Sequence, residues 1–520
     1  MTLRLRDTLS RRLQPLEPAD GPAAPVRMYT CGPTVYRYAH VGNLRTFLLA
    51  DLIRRVLLYH GLSVRHVQNV TDVGHLRDER FDRGEDRMLI AAGLESKTPA
   101  EIADAYEAAF HADAALVNLL PAHVYPRATE HIPQMVALAE RLEDLGHAYA
   151  TAEGNVYYAV STFPGYGQLS GNSLDALRAG HRGDVEPDKR DAADFALWKA
   201  AGEGRILKWP TPRWGEGFPG WHLECSAMAL EHLGPTFDLH TGGEDNVFPH
   251  HEDEIAQSAP LVGGPPARLW VHGGHLLMSG RRMAKSAGNF QRITEVVDEG
   301  IDPLAFRYLC LTARYSRRLD YSDTSLGAAA TSLTTLRERL RALGPAPVDG
   351  PWAAPTPLVA GAAGDRPDGL AEGIAGHGAR AGIGGPEPAL WDRAHRPAAP
   401  LSPAGDAAHA RFARALDNDL DLPVALSAIW AIARSDLPVD ERRWLMLDAD
   451  FVLGLDLHRT WDAAAEAWQP SAEILARVAE RAAARAAGDF SRADAIRAEL
   501  AAAGVALTDR PDGTSKISRG

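Results

Sequence analysis

A strand, a turn, a helix and a second strand follow one another near the start of the chain, and this order constrains the fold more than any other feature. Val26–Cys31 is apolar enough for a short buried strand and leads into the turn Gly32-Pro33-Thr34. A helical pattern begins at Gly42 and is ended by Gly61, and Val64–Val70 is predicted to be the next strand. The apolar residues of the helical pattern share one face: Leu44, Phe47, Leu48, Leu52, Val56 and Tyr59. A β-α-β unit of this length predicts a parallel, doubly wound sheet in an α/β domain.

The rest of the sequence changes character several times, and 520 residues are too many for one compact core. Residues from about 115 to 215 begin helically and then give short β-like pieces such as Asn155–Val160. The α/β pattern returns at Phe237–Leu239, with the turn Gly242-Gly243 and a helix from about His250. We therefore predict an N-terminal extension (1–25) and one α/β domain (26–315) that is split by an insertion at about 115–215.

The second half of the sequence is predicted to form several smaller units. Residues 316–344 form a linking helical region, and residues 345–404 are so rich in Gly, Pro and Ala that a flexible insertion is expected. Helical patterns then resume, which predicts a helical bundle over 405–468 and a small C-terminal region over 469–520, with a turn at Pro511-Asp512-Gly513.

Composition limits which cellular compartment and which binding partners are expected. Three scattered cysteines cannot form a disulfide framework, so a reducing cytoplasm is expected, and Cys310 in its apolar stretch is predicted to be a core residue. The opening residues lack the apolar region of a signal peptide, and no run approaches the roughly 20 apolar residues of a membrane span. The net charge of −13 gives no support for a nucleic-acid partner, although a local basic face can act within an acidic protein.

Two motifs have the chemistry of phosphate binding. His40-Val41-Gly42-Asn43 lies where the strand gives way to the helix, and a helix N-terminus offers free N–H groups and partial positive charge to a triphosphate. The second, Arg282-Met283-Ala284-Lys285-Ser286 followed by Ala287-Gly288-Asn289, is a basic loop that could stabilise the charge on a leaving pyrophosphate. Each motif alone is also compatible with an ordinary loop.

Four residues have the chemistry of zinc ligands. His250 and Glu254 are four residues apart in a predicted helix, so their side chains emerge on one face. Cys225 and Cys31 supply thiols, and thiolate, imidazole and carboxylate are all usual zinc ligands. His251 competes with His250 for this role, and spacing alone does not choose between them.

Taken together and in order, these motifs resemble the signatures of the cysteinyl-tRNA synthetases. The matching segments are Tyr29–Tyr36 with His40–Asn43, Gly220–Met228, Phe248–Ser258, and RMAKS followed by AGN. The resemblance covers about residues 26–325, and a weaker one continues through Asp417–Pro423 to Ala493–Arg497. It implies a Rossmann-like class I synthetase catalytic domain with an inserted connective domain, followed by C-terminal helical domains of which 469–520 binds the anticodon.

The resemblance also implies an activity. The chain is expected to be an ATP-dependent cysteine–tRNA ligase, in which the cysteine carboxylate attacks the α-phosphate of ATP and the resulting cysteinyl adenylate is transferred to the 3′ end of tRNA(Cys). The implied partners are cysteine, tRNA(Cys) and ATP accompanied by Mg²⁺, with no membrane partner. A monomer is expected.

By the same resemblance, one Zn²⁺ per chain is held by Cys31, Cys225, His250 and Glu254 and binds the substrate thiolate. Zinc prefers thiolate to hydroxyl, which separates cysteine from serine without an editing domain. Because four protein ligands also suit a closed structural site, structural zinc stays an alternative.

Roles for the remaining motif residues follow from the resemblance. His40, Asn43 and Lys285 are implied to be catalytic, since they hold the phosphates or stabilise the pyrophosphate. The implied ATP-binding set adds Gly42, Asp245, Arg282 and Ser286, with Asp245 contacting the ribose or the substrate amine. Gly32, Thr71 and Trp221 are implied to line the amino-acid pocket.

The sequence departs from the family pattern in the lysine loop, where Arg282 and Ala284 replace Lys and Ser, and after Gly513-Thr514, where Ser515 replaces an aromatic residue. Two alternatives therefore stay open. One is a tRNA-independent cysteine ligase of low-molecular-weight thiol biosynthesis, which the helical region after 405 argues against. The other is a non-catalytic synthetase paralogue, which the retention of Lys285 and His40 opposes.

Overall fold

A computed structural model describes residues 2–73, 76–78, 83–173, 188–202, 205–278, 280–283, 290–347, 352, 357–358, 390–391, 399–461, 472–502, 505–509 and 515–519. Most of the flexible insertion predicted at 345–404 lies outside these ranges, as does the turn predicted at Pro511-Asp512-Gly513. Within the described ranges, no helix combines the length and the apolar character that crossing a bilayer requires.

The described chain contains both strands and helices. The strands are, in chain order, β1 (Arg4–Arg6), β2 (Leu13–Pro15), β3 (Val26–Thr30), β4 (Val64–Gln68), β5 (Leu76–Asp78), β6 (Arg83–Asp86), β7 (Ala148–Ala150), β8 (Val156–Tyr158), β9 (Phe195–Ala200), β10 (Trp209–Thr211), β11 (Gly215–Pro219), β12 (Phe237–Gly243), β13 (Ala267–Gly273), β14 (Leu276–Met278), β15 (Arg281–Arg282), β16 (Leu319–Tyr321), β17 (Pro357–Leu358), β18 (Leu390–Trp391), β19 (Val505–Asp509) and β20 (Ser515–Arg519). The helices are α1 (Val41–Tyr59), α2 (Arg87–Glu95), α3 (Pro99–Leu116), α4 (Ile132–Asp144), α5 (Trp221–Leu233), α6 (Glu252–Val262), α7 (Ile293–Asp298), α8 (Leu304–Leu311), α9 (Asp323–Arg341), α10 (Pro403–Asp417), α11 (Leu422–Ala433), α12 (Val439–Leu453), α13 (Ala472–Ala486) and α14 (Phe490–Ala502).

A four-stranded parallel sheet, in the order β13-β12-β3-β4, confirms the predicted parallel α/β architecture. Met28 of β3 pairs with His66 of β4 on one side and with Leu239 of β12 on the other. The β3-α1-β4 unit is the β-α-β unit expected from the sequence, although β4 ends at Gln68, two residues before the predicted end.

The sheet is buried, as expected for parallel strands that helices cover. In β3, Val26, Met28 and Tyr29 are buried, and helices α1 and α5 contact the sheet. The core between the sheet and its neighbours includes Tyr29, Val67, Leu223, Met228, Phe237, Ile255 and Trp270.

A second, antiparallel sheet lies in the chain between β4 and β12. Its order is β10-β11-β9-β8-β7, and its strands fall between Ala148 and Pro219. Strand β8 occupies the middle of the β-like piece predicted at Asn155–Val160.

The chain separates into two compact units, Met1–Leu457 and His458–Gly520. The first contains the parallel sheet and the helices up to α12. The second contains α13, α14 and the antiparallel pair β19-β20, and it has an apolar core of its own formed by Ile496, Leu500, Val505 and Leu507.

Candidate active site and metal centre

A cavity of about 420 Å³ opens at the carboxyl edge of the parallel sheet. Its lining includes residues that follow four strands by one or two positions: Cys31 after β3, Asn69 after β4, Asp245 after β12 and His275 after β13. Strand β3 lies between β4 and β12, so the chain leaves the centre of the sheet in both directions. Parallel sheets bind ligands at such a switch point, beyond the carboxyl ends of the strands.

The N-terminus of α1 forms one side of the cavity. His40 is the N-cap, and its Nδ1 accepts a hydrogen bond from the Asn43 backbone N–H at 3.2 Å. Asn43 Oδ1 accepts in turn from the His40 N–H at 3.1 Å, which completes a capping box. A Cβ on Gly42 would lie 2.8 Å from the His40 ring, so glycine allows the ring to fold back over the turn. His40, Gly42 and Asn43 are thus brought together where helix N–H groups and the helix dipole favour phosphate.

Gly32, Thr71 and Trp221 also line the cavity. A Cβ on Gly32 would lie 1.6 Å from the Asn69 carbonyl oxygen, so only glycine permits this approach of the two strand ends. The Gly32 N–H donates to Asn69 Oδ1 at 2.8 Å, and Asn69 Nδ2 donates to Thr71 Oγ1 at 3.1 Å. Thr71 Oγ1 donates to Glu224 Oε2 at 3.0 Å. Sequence reasoning missed both Asn69 and Glu224, because neither carries a spacing signal.

The four predicted zinc ligands converge at one side of the cavity, which Cys31, Cys225 and His250 line. The ligand atoms of Cys31, Cys225, His250 and Glu254 all lie within 4.8 Å of one another, and three of the four side chains are buried. The residues come from the end of β3, from α5, from the π-helical turn Val247–His251 and from α6. His250 Nε2 lies 3.0 Å from Glu254 Oε1, and the Cys31 thiol donates to the same oxygen at 3.8 Å.

A second set of donors overlaps the first. Cys31 and Glu254 also form a group with His240 and His251 whose ligand atoms lie within 4.8 Å of one another. His240 Nε2 lies 2.8 Å from Glu254 Oε2, and His251 Nε2 lies 3.2 Å from Cys31 Sγ. The set with His250 contains both cysteines and is therefore the softer donor set, which suits zinc better.

Outer histidines orient the two candidate imidazoles. His222 Nδ1 lies 2.8 Å from His250 Nδ1, and His272 Nε2 lies 2.8 Å from His251 Nδ1. Such contacts leave the opposite ring nitrogen, Nε2, directed at the cluster. His222, His240 and His272 were not predicted as part of the site.

Protonation in the cluster is set by burial and by the short distances between its groups. The hydrogen bond with Cys31 lowers the pKa of Cys225 to about 7, while burial and the same contact raise the pKa of Cys31. Burial alone would raise the pKa of Glu254, but His240 and His250 lower it to about 2. Two thiols, an imidazole and an ionised carboxylate at these distances fit a divalent cation, which would replace the thiol protons.

The predicted nucleotide residues outside the α1 turn divide into two groups. Asp245 lines the cavity. Arg282 belongs to β15, but its side chain is not among those the structure describes, and Lys285 and Ser286 lie outside the described residues. Met283, between them, is buried and lines the cavity.

Comparison with known proteins identifies the family. The family model for "tRNA synthetases class I (C) catalytic domain" matches residues 20–331. A cysteine–tRNA ligase of Thermosynechococcus vestitus is 37% identical over 540 residues, which covers 99% of this chain and 98% of the relative. The chain belongs to the cysteine–tRNA ligase family. The family predicted from the four sequence motifs is thereby confirmed.

Other members of the cysteine–tRNA ligase family match over the same length. A cysteine–tRNA ligase of Thermus thermophilus is 37% identical and covers 99% of this chain, with 98% of the relative covered. Cysteine–tRNA ligase 1 of Burkholderia lata is 38% identical, with 99% and 96% covered.

Solved structures agree on the fold of this cysteine–tRNA ligase family member. Methionyl-tRNA synthetase of Mycobacterium tuberculosis bound by methionyl-adenylate has a TM-score of 0.51 at 15% identity and covers 84% of this chain and 92% of that one. A leucyl-tRNA synthetase of Agrobacterium radiobacter has a TM-score of 0.50 at 11% identity, with 85% of each chain covered. At these identities the likeness concerns the fold alone, and it confirms the predicted class I synthetase architecture.

Proposed function

We propose that this protein is an ATP-dependent cysteine–tRNA ligase that activates cysteine as cysteinyl adenylate and transfers it to the 3′ end of tRNA(Cys). One observation carries the proposal: a single cavity is lined by the capped N-terminus of α1 and by Cys31, Cys225 and His250. A phosphate-binding helix end and a thiol-selective metal centre therefore face the same space. Relatives that match over almost the whole chain are cysteine–tRNA ligases.

The nucleotide occupies the α1 side of the cavity. His40, Gly42 and Asn43 hold the phosphates at the helix N-terminus, and Asp245 contacts the ribose or the substrate amine. By family resemblance, Arg282, Lys285 and Ser286 stabilise the departing pyrophosphate, which leaves with its Mg²⁺.

Cysteine occupies the opposite side, next to Gly32, Thr71 and Trp221. Cys31, Cys225, His250 and Glu254 would hold one Zn²⁺ there. When bound, this zinc supplies a soft Lewis acid that prefers thiolate to hydroxyl and so distinguishes cysteine from serine. The cavity then brings the cysteine carboxylate toward the α-phosphate, and catalysis rests on positioning and charge stabilisation.

The C-terminal unit is assigned to tRNA. We propose that 469–520 contacts the anticodon stem-loop, that 405–468 links it to the catalytic domain 26–315, and that 115–215 is the inserted connective domain. The protein is proposed to act as a cytoplasmic monomer, in keeping with a role in translation. The molar mass of the purified protein, measured by light scattering, tests whether it is a monomer.

Isotopic ATP–pyrophosphate exchange with the zinc-loaded protein tests the first half-reaction. Exchange is expected with cysteine, at a rate far above that with serine or without amino acid, and charging of tRNA(Cys) tests the second half-reaction. Exchange without charging would support the tRNA-independent ligase instead. A folded, zinc-loaded protein that shows no exchange would support the non-catalytic paralogue.

A further inference from the structure

The segment Phe290–Arg292 lies against the turn that precedes α1. The Val41 N–H, the first of the helix, donates to the Gln291 carbonyl oxygen at 3.0 Å. The rings of Phe290 and His40 meet edge to face, with their centroids 5.4 Å apart. Two neighbouring residues of one strand-to-helix turn are thus contacted by consecutive residues from a distant part of the sequence.

Arg292 makes the third of these contacts and the one with the largest electrostatic component. Its Cζ lies 3.5 Å from the centroid of the Tyr38 ring, which is the stacked geometry of a cation–π interaction. The Tyr38 ring also contacts the ring of Tyr106 of α3 in a T-shaped arrangement, with the two ring centroids 4.7 Å apart. Tyr38 and Tyr106 both line the cavity.

A buried carboxylate fixes the direction of the Arg292 side chain. Asp113 of α3 is 2% exposed, and its Oδ2 lies 4.0 Å from Arg292 Nη2. Among the described residues, that oxygen accepts no hydrogen bond. A buried carboxylate without a nearby cation is costly, so Asp113 holds the guanidinium over the Tyr38 ring.

We infer that Arg292 is a positioning residue for ATP: by stacking on Tyr38 under the pull of Asp113, it holds Phe290–Arg292 against the His40 turn. Tyr38, Arg292 and Asp113 are called here the turn clasp. The inference rests on the proposed function and adds to it a group that none of the family motifs contains. The clasp acts on the phosphate side of the cavity, whereas the amino-acid side is built from Gly32, Asn69 and Thr71.

If the clasp acts on the phosphate side alone, its loss should change the KM for ATP and not the KM for cysteine. The kinetics of pyrophosphate exchange by the full-length, zinc-loaded protein test this difference. Arg292→Ala is expected to raise the KM for ATP about three- to fivefold, the loss that corresponds to one cation–π contact at an exposed ring, since Tyr38 is 41% exposed, while the KM for cysteine is unchanged. Arg292→Lys keeps the cation and is expected to recover part of the loss. Tyr38→Phe keeps the ring face and is expected to resemble the unmodified protein more than Tyr38→Leu does.

A double-mutant cycle shows whether Tyr38 and Arg292 act through their shared contact or affect ATP binding independently. Tyr38→Leu combined with Arg292→Ala is expected to cost no more than the worse single change, because both remove the same contact. Arg205→Ala is the matched control, since Arg205 stacks on Phe218 at 3.4 Å outside the cavity; both KM values should stay unchanged.

Three results overturn the inference: additive effects of the two substitutions, an equal rise of both KM values, or unchanged kinetics of Arg292→Ala. Loss of exchange in the unmodified protein would instead overturn the proposed function. If Arg292→Ala unfolds, the cycle is run with Arg292→Gln, which removes the cation but keeps most of the side-chain length, and with Tyr38→Leu.

Discussion

Two buried cysteines in helices show how strongly position decides the chemistry of a residue. Cys225 and Cys310 are 1% and 5% exposed. Cys31 lowers the pKa of Cys225 to about 7, whereas burial raises the pKa of Cys310 to about 12. Since the thiolate is the form of cysteine that binds a metal, Cys225 is better suited than Cys310 to be a ligand. The prediction that Cys310 is a core residue is confirmed by its burial.

This difference predicts the metal content of two otherwise similar variants. Cys225→Ala removes one thiolate donor and is expected to lose stoichiometric zinc, while Cys310→Ala is expected to retain one zinc per chain. Elemental analysis after dialysis against a weak chelator measures the outcome, and circular dichroism checks that both variants are folded. Full zinc content in Cys225→Ala would favour the overlapping donor set that contains His240 and His251.

A single methyl group at Gly42 is expected to disturb the phosphate site. The new Cβ would lie 2.8 Å from the His40 ring, so the ring must leave its capping position. Gly42→Ala should therefore reduce the kcat/KM for ATP in pyrophosphate exchange by about tenfold or more, the cost of a displaced cap and phosphate contact.

Gly327→Ala in α9 is the control for the Gly42 variant, because a Cβ there meets nothing within 4 Å. Alanine stabilises a helix relative to glycine by roughly 0.5–1 kcal/mol. Gly327→Ala should therefore unfold at a slightly higher temperature than the unmodified protein and catalyse pyrophosphate exchange at an unchanged rate. If Gly42→Ala exchanges as well as Gly327→Ala, the folded-back His40 ring is not needed for ATP.

The histidines around Glu254 show where prediction of the site from sequence reaches its limit. Cys31, Cys225, His250 and Glu254 stand in motifs and were predicted, and the structure brings them together. His240 stands alone in a mostly apolar strand, where a histidine is usually a core residue. Its Nε2 lies 2.8 Å from Glu254 Oε2, a contact that no spacing in the sequence indicates. Lys285 and Ser286 lie outside the described residues, so their roles stay predictions.

At the scale of elements, the sequence predicts regular segments better than the irregular turn that carries His250. The α1 pattern predicts a start at Gly42, and the helix begins one residue earlier. The helix predicted from about His250 instead begins at Glu252, after a π-helical turn in which Phe248 has extended backbone angles. Pro249 cannot donate a helical hydrogen bond, and periodicity alone does not show how the chain accommodates it.

A buried ionic network joins α1, α8 and α12. Arg307 of α8 is fully buried and lies 2.6 Å from Asp51 of α1. Its Nε donates to the Leu453 carbonyl oxygen at 2.6 Å, and Arg55 Nη1 donates to the Phe451 carbonyl oxygen at 3.0 Å. The helix that presents His40 to the cavity is therefore anchored at the level of Asp51 and Arg55 by the last turn of α12.

Removing the central cation of this network should be strongly destabilising. Arg307→Ala leaves Asp51 facing Arg55 alone and leaves the Leu453 carbonyl oxygen without its donor, which is expected to cost about 3–5 kcal/mol of unfolding free energy. Urea denaturation followed by circular dichroism measures it. Arg213→Ala, which breaks a solvent-exposed ion pair with Asp144, should change stability little. Equal midpoints for the two variants would show that the buried network contributes nothing.

At the scale of the whole molecule, the two compact units divide the proposed reaction between them. The described residues that line the cavity all belong to Met1–Leu457, and so do both donor sets for the metal. The unit His458–Gly520 has its own apolar core. We therefore expect cysteine activation to need only the first unit, and recognition of the tRNA to involve the second.

A chain that ends after Trp461 is expected to separate the two half-reactions. Because it keeps every described residue of the cavity, cysteine-dependent pyrophosphate exchange should stay within about twofold of the full-length rate. Charging of tRNA(Cys) should fall about tenfold or more, since each lost contact with an anticodon base removes about 1–3 kcal/mol. Both activities are measured on the same preparation, with thermal unfolding to verify that the first unit is intact. Undiminished charging would show that His458–Gly520 does not contribute to tRNA recognition, and would place that recognition entirely on Met1–Leu457.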